Sequence, residues 1–148
     1  MTNDPIAAKF ANLLAALQKQ HASAHTFEGA HAYLNLHVNW ADALVPTDKR
    51  GAIEHLAEAE KHQWTIGTFA TGSGEGLESM LHVHELMARQ AKLEESCADE
   101  ARTPEQTRRH LQSALALWTE IHQYPKSQYC GEPAEPHLER LNARLAAR

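Results

Sequence analysis

Apolar residues return every three or four positions along nearly the whole chain, and prolines and a glycine cluster cut that pattern into six stretches. A period of 3.6 places such residues on one stripe of a helix, whereas a strand needs strict alternation, and no stretch alternates for long. The pattern specifies an all-α protein: a single-domain bundle of about six helices, mainly antiparallel, with short turns containing Pro or Gly. At 148 residues the chain suits one domain over positions 1–148 with one core.

The punctuation sets the boundaries. Asn3 or Asp4 ahead of Pro5 opens the first helix, because a proline in the first turn forfeits no hydrogen bond, and Ile6, Phe10, Leu13, Leu14 and Leu17 form its stripe. The second begins near Thr26, carries Phe27, Tyr33, Leu36, Trp40 and Leu44, and stops at Pro46. Thr47 is the expected cap of a third, which runs through Ile53, Leu56, Ala57 and Trp64 to about Phe69. The stretch from Thr71 to Gly76 reads as a break, and a fourth helix follows from Leu77 to about Glu95 with Met80, Leu81, Met87 and Ala91 on one face. Thr103-Pro104-Glu105-Gln106 has the form of a capping box before a fifth helix bearing Leu111, Leu115, Trp118 and Ile121, ended by Pro125. The last, from about Glu135, sets Leu138, Leu141 and Leu145 on one face and Arg140, Arg144 and Arg148 on another, expected to be solvated.

Charge and motif content narrow the function. A formal net charge of -5 gives no general attraction to phosphate backbones, so nucleic-acid binding is disfavoured. No apolar run approaches the length of a membrane span, and residues Met1 to Lys9 lack the pattern of a leader, so a cytoplasmic location without membrane contact is expected. Cys97 and Cys130 form no CxxC pair and no zinc-finger spacing. The glycine cluster before and after Ser73 resembles a phosphate loop only superficially: no Lys precedes the Ser, and the segment joins two helices instead of following a strand. No Ser/His/Asp or Cys/His arrangement emerges from spacing, and no catalytic residue is assigned.

Histidine is the compositional outlier, with 11 scattered from His21 to His137. Projected at about 100° per residue, His37 falls within the stripe of the second helix, Glu60 within that of the third, and His84 within that of the fourth. With a rise of about 1.5 Å per residue and antiparallel neighbours, these three groups reach a similar height. Two imidazoles and a carboxylate at one level suit a divalent zinc, iron or manganese ion, with positions left for water or a small ligand. The alternative for the same trio is a buried hydrogen-bond network with no ligand. His21 and His122 lie on apolar stripes nearer the bundle end and would form a second layer. His21 and His25 stand four apart, with Glu28 and His31 following, but the first turn falls within this stretch and spoils the register. His55 and His62, seven apart on the flank of the third helix, are expected to border the core with one ring edge in water.

The segment Ala114 to Ile121, with Trp118 at its centre and Tyr124-Pro125 after it, resembles the second helix of a tetratricopeptide repeat. It departs from that pattern at Ile121, where Ala is usual, and at Pro125, one residue early; no 34-residue period recurs. The resemblance implies a non-enzymatic interaction module of stacked helical hairpins with a partner protein. The residues themselves lead to a helical bundle that binds a metal ion or small ligand at an interior His/Glu cluster. A homodimer is compatible with both, since the apolar residues exceed what six short helices need to bury.

Overall fold

The computed structural model describes residues 4–69, 73–123 and 133–147. Among them six helices form and no strand: α1 (Pro5–Gln20), α2 (Phe27–Leu44), α3 (Lys49–Gly67), α4 (Ser73–Glu100), α5 (Pro104–His122) and α6 (Glu135–Ala146). The all-α class is as the periodicity requires. No helix among the described residues is long and apolar enough to cross a membrane.

The helix starts follow local chemistry. Asp4 accepts hydrogen bonds from the amides of Ile6 and Ala7 ahead of Pro5, and Thr26 accepts from Gly29, so the first two caps fall where the sequence puts them. Thr103 accepts from the amide of Gln106, and the Gln106 side chain reaches back to the amide of Arg102, one residue before the cap. The third cap is Asp48, which accepts from Gly51, and not Thr47; a carboxylate one residue on takes the same orphan amide. The fourth helix begins at Ser73 and runs to Glu100, so Gly74 and Gly76 are helical and the break is shorter than their composition suggests. Gly29 has a packing reason, since a Cβ there would collide with the carbonyl oxygen of Ser23 in the preceding loop.

The chain forms two compact units, Met1–Ser79 and Met80–Arg148, with the division inside α4. In unit 1, α2 and α3 pair antiparallel: Phe27 meets Phe69, Tyr33 meets His62, and His37 meets His55, one partner number falling as the other rises. Ala30, Ala41, Ala52 and Ala59 are fully buried, and their small side chains let the helices approach, while Leu36, Leu44, Leu56 and Ile66 fill the remaining volume. Each buried Leu or Ile contributes about 1.5–3 kcal/mol by leaving water. Helix α1 lies against α2, with Phe10 buried and stacked on Trp40 at 5.4 Å between ring centroids.

In unit 2, Val83, Met87, Ala91, Leu111, Trp118, Ile121 and Leu141 form the core contributed by α4, α5 and α6. Polar pairs fix the helix order. Glu94 on α4 meets His110 on α5 at 2.8 Å, while Glu95 and Asp99 meet Arg140 and Arg144 on α6, so α6 runs parallel to α4. Arg140 donates Nε and Nη2 to Glu95 at 2.8 and 2.7 Å, and Arg144 donates to Glu95 and Asp99. The arginine row is thus a docking edge and not a solvated face at those two positions; Arg148 lies outside the described residues.

Candidate histidine cluster between α2 and α3

The site grows from two helix faces. On α3, His55, Glu58 and His62 recur at intervals of three and four, which puts them on one side of the helix, next to the buried stripe of Ala52, Leu56, Ala59, Gln63 and Ile66. On α2, Tyr33, His37 and Trp40 recur at the same intervals and face them. Antiparallel pairing interleaves the rings into a column: Tyr33 lies on His62 at 5.5 Å, His62 on His37 at 5.7 Å, His37 on His55 at 5.2 Å, and His55 on Trp40 at 3.9 Å. Phe10 of α1 stacks beyond Trp40. Interplanar angles of 11–24° keep these rings close to parallel.

Within the column the Nδ1 atoms of His37 and His55 approach to 2.9 Å. With both rings neutral, one Nδ1 carries the proton and the other accepts it, so the two imidazoles are held as opposite tautomers. Neutrality is enforced. Burial, then the neighbouring His55 and His62, push the pKa of His37 down to about 4. Burial likewise lowers those of His55 and His62, with the Glu58 carboxylate opposing it at both rings. Glu58 is itself held below its ordinary value, first by a hydrogen bond from Lys61 Nζ at 3.1 Å. The cluster is half-buried, with one edge open to water.

The residues singled out from the sequence distribute differently. His37 is central, but its partner on α3 is His55. Glu60 is turned toward its own helix, where it accepts from the Trp64 indole N–H at 3.4 Å. The cause is a rotation of the buried stripe: Trp64 is 40% exposed, while Gln63, only 5% exposed, points inward and donates to Ser79 Oγ. A large indole weighed more in the apolar pattern than a glutamine and two alanines, and it pulled the expected stripe around the helix. His84 is fully buried, as its stripe requires, with a pKa lowered by burial, and it belongs to unit 2 whereas His37 and Glu60 belong to unit 1. His21 caps α1, its carbonyl accepting from Tyr33 Oη at 3.2 Å, and His122 is exposed in the last turn of α5; neither forms an interior second layer. His25 sits in the loop before α2, off any helical register with His21.

His55 and His62 border the core as expected, but their meeting with His37 was not anticipated. A signal existed: the triplet His55, Glu58, His62 shares one face, and it becomes a site only once α2 supplies a third imidazole. Among the described residues no group of three or more His, Cys, Asp or Glu side chains stands at the spacing that would hold a metal ion. As it stands, the cluster presents two facing nitrogen donors, with a third imidazole and a carboxylate beside them. Compared with known proteins, the chain matches no family model, no curated protein and no solved structure.

Proposed function

We propose that the protein binds a divalent transition-metal ion in unit 1, with His37 and His55 as the anchoring ligands. The observation that carries this reading is the 2.9 Å approach of their Nδ1 atoms from two different helices. A tetrahedral ion with metal–nitrogen bonds of about 2.0–2.1 Å needs two such donors about 3.3 Å apart with both lone pairs turned toward it, so an opening of about 0.4 Å together with a tilt of both rings off their shared hydrogen-bond line would admit it. Both rings are neutral at pH 7, the form that offers a lone pair, so no protonation must be reversed before binding. The shared proton need not leave the pair either, since the Nδ1–H ring can become its Nε2–H tautomer. Imidazole ligands favour zinc, iron, nickel or copper over magnesium or calcium.

An ion bridging α2 and α3 ties together the two helices that make the largest part of unit 1. Binding to the folded state alone raises stability as RT ln(1 + [L]/Kd), about 2.7 kcal/mol at a hundredfold excess over Kd. The test is calorimetric titration of chelator-stripped protein with Zn²⁺. One ion per chain is expected, with His37→Ala and His55→Ala each lowering affinity by about a hundredfold or more and His122→Ala leaving it unchanged. Equal affinity in wild type and both anchoring variants would remove the site from this cluster.

A further inference from the structure

We infer that Glu58 is the third ligand of this ion and that Lys61 is its built-in competitor, holding the carboxylate until the ion takes it. This inference rests on the metal reading above. Three observations lead to it. Glu58 lies between His55 and His62 on the same face of α3, three residues after one and four before the other. On the facing helix His37 stacks against both of these rings, at 5.2 Å from His55 and 5.7 Å from His62, so the third imidazole lies over the interval that Glu58 occupies on α3. Yet its Oε1 is turned to Lys61 Nζ at 3.1 Å, one turn along the same exposed edge.

The ion pair is weak and movable. The Lys61 and Glu58 side chains are 71% and 46% exposed, the regime in which ion pairs contribute little and both side chains keep their rotamer freedom. A dication at the His37–His55 pair attracts the carboxylate more strongly than a solvated ammonium does, because it carries twice the charge and forms an inner-sphere bond. Glu58 then swings from Lys61 to the ion and completes a two-histidine, one-carboxylate set, leaving a position for water. That movement accounts for why the present arrangement holds only two donors at close range. The swap also has a charge consequence: two neutral rings and one carboxylate reduce the ion's charge to +1, and the Glu58–Lys61 pair must open for it, so affinity should rise when Lys61 no longer holds the carboxylate.

The probe is Co²⁺, whose visible spectrum reports its ligands, followed by Zn²⁺ competition for affinity, on wild type, Glu58→Gln, Lys61→Gln and the double variant, with helicity measured for each. Both side chains face water, so all four proteins should fold alike. Expected are a loss of about tenfold or more in affinity for E58Q with a changed cobalt spectrum, and a gain of about two- to fivefold for K61Q. The double variant should match E58Q, because Lys61 acts only through Glu58. If wild type binds Co²⁺ and E58Q does so with the same affinity and spectrum, Glu58 is not a ligand and the inference falls while the metal reading stands. If E58Q weakens binding but K61Q leaves it unchanged, Lys61 is no competitor. Failure of the wild type itself to bind would overturn the metal reading, and this inference with it.

Discussion

At the level of single residues, the chemistry of unit 1 depends on keeping three imidazoles neutral side by side. His37 carries the largest consequence. Its folded pKa of about 4 lies below the unfolded value, so between pH 6.5 and 4 the unfolded chain binds the extra proton and the folded one resists it. Stability of the metal-free protein should therefore fall as pH drops through that window and level off below it. The expected loss is roughly 1 to 2 kcal/mol, less than the full shift implies because the ring is only half-buried. Urea unfolding with chelator present, at pH 7 and pH 4.5, should show the slope, and His37→Gln should flatten it while leaving the remaining acid dependence in place. Glu60 illustrates the opposite case. A residue expected to face inward instead accepts an i,i+4 bond from Trp64, because the small alanines and Gln63 take the buried side of α3 and leave the indole toward water.

At the level of elements, the last helix is held by polar groups as well as by its apolar face. Leu141 is fully buried, and Leu138 and Leu145 pack around the core, but Glu95 collects three hydrogen bonds from Arg140 and Arg144 and is itself 16% exposed. Those bonds, led by that from Arg140, hold its carboxyl below the ordinary carboxylate range. The sign is the same as at His37, since both folded values are lowered: the stabilisation is complete above the unfolded carboxylate value and disappears as pH falls through the lower folded one. Replacing Glu95 by Ala removes three hydrogen bonds that Arg140 and Arg144 donate at the helix junction, leaving that of Arg144 to Asp99, and a cost of about 1–3 kcal/mol is expected. Hydrogen exchange should reveal it as faster exchange throughout α6, with α1 to α3 unaffected. Unchanged exchange in α6 would mean that its leucines alone seat it. The helix ends needed no such tertiary help. Asp4, Thr26 and Thr103 cap their helices through side-chain oxygens three residues or fewer away, which is why those starts were legible and the Thr47 assignment was wrong by a single residue.

On the scale of the whole molecule, the chain divides into two compact units, each with its own fully buried residues. Leu56 is completely buried within unit 1 and Leu141 within unit 2. Truncating either to Ala removes buried methyl groups and leaves a cavity, a loss of about 2–5 kcal/mol in each case. Exchange measured amide by amide should place the damage of Leu56→Ala in α1 to α3 and that of Leu141→Ala in α5 and α6. A uniform rise across all helices for either variant would show that the two cores open together. The boundary was invisible in the sequence because α4 passes through it without interruption, and an unbroken helical period carries no mark of which core each turn joins.

What the sequence by itself determined was whatever depends on neighbours a few residues apart: the helical class, six segments, the caps at Asp4, Thr26 and Thr103, the turn at Pro46 and the inward placement of His37 and His84. Their causes are periodicity and the satisfaction of helix-end amides, both written locally. Only the tertiary structure decided which histidines meet. The rotation of α3 about its axis, set by small alanines and Gln63 packing inward while Trp64 stays out, exchanged Glu60 for His55 as the partner of His37. A change of one position around a helix turns a side chain by about 100°, and no local pattern resolves that choice when the inward residues are small and the outward one is large and apolar.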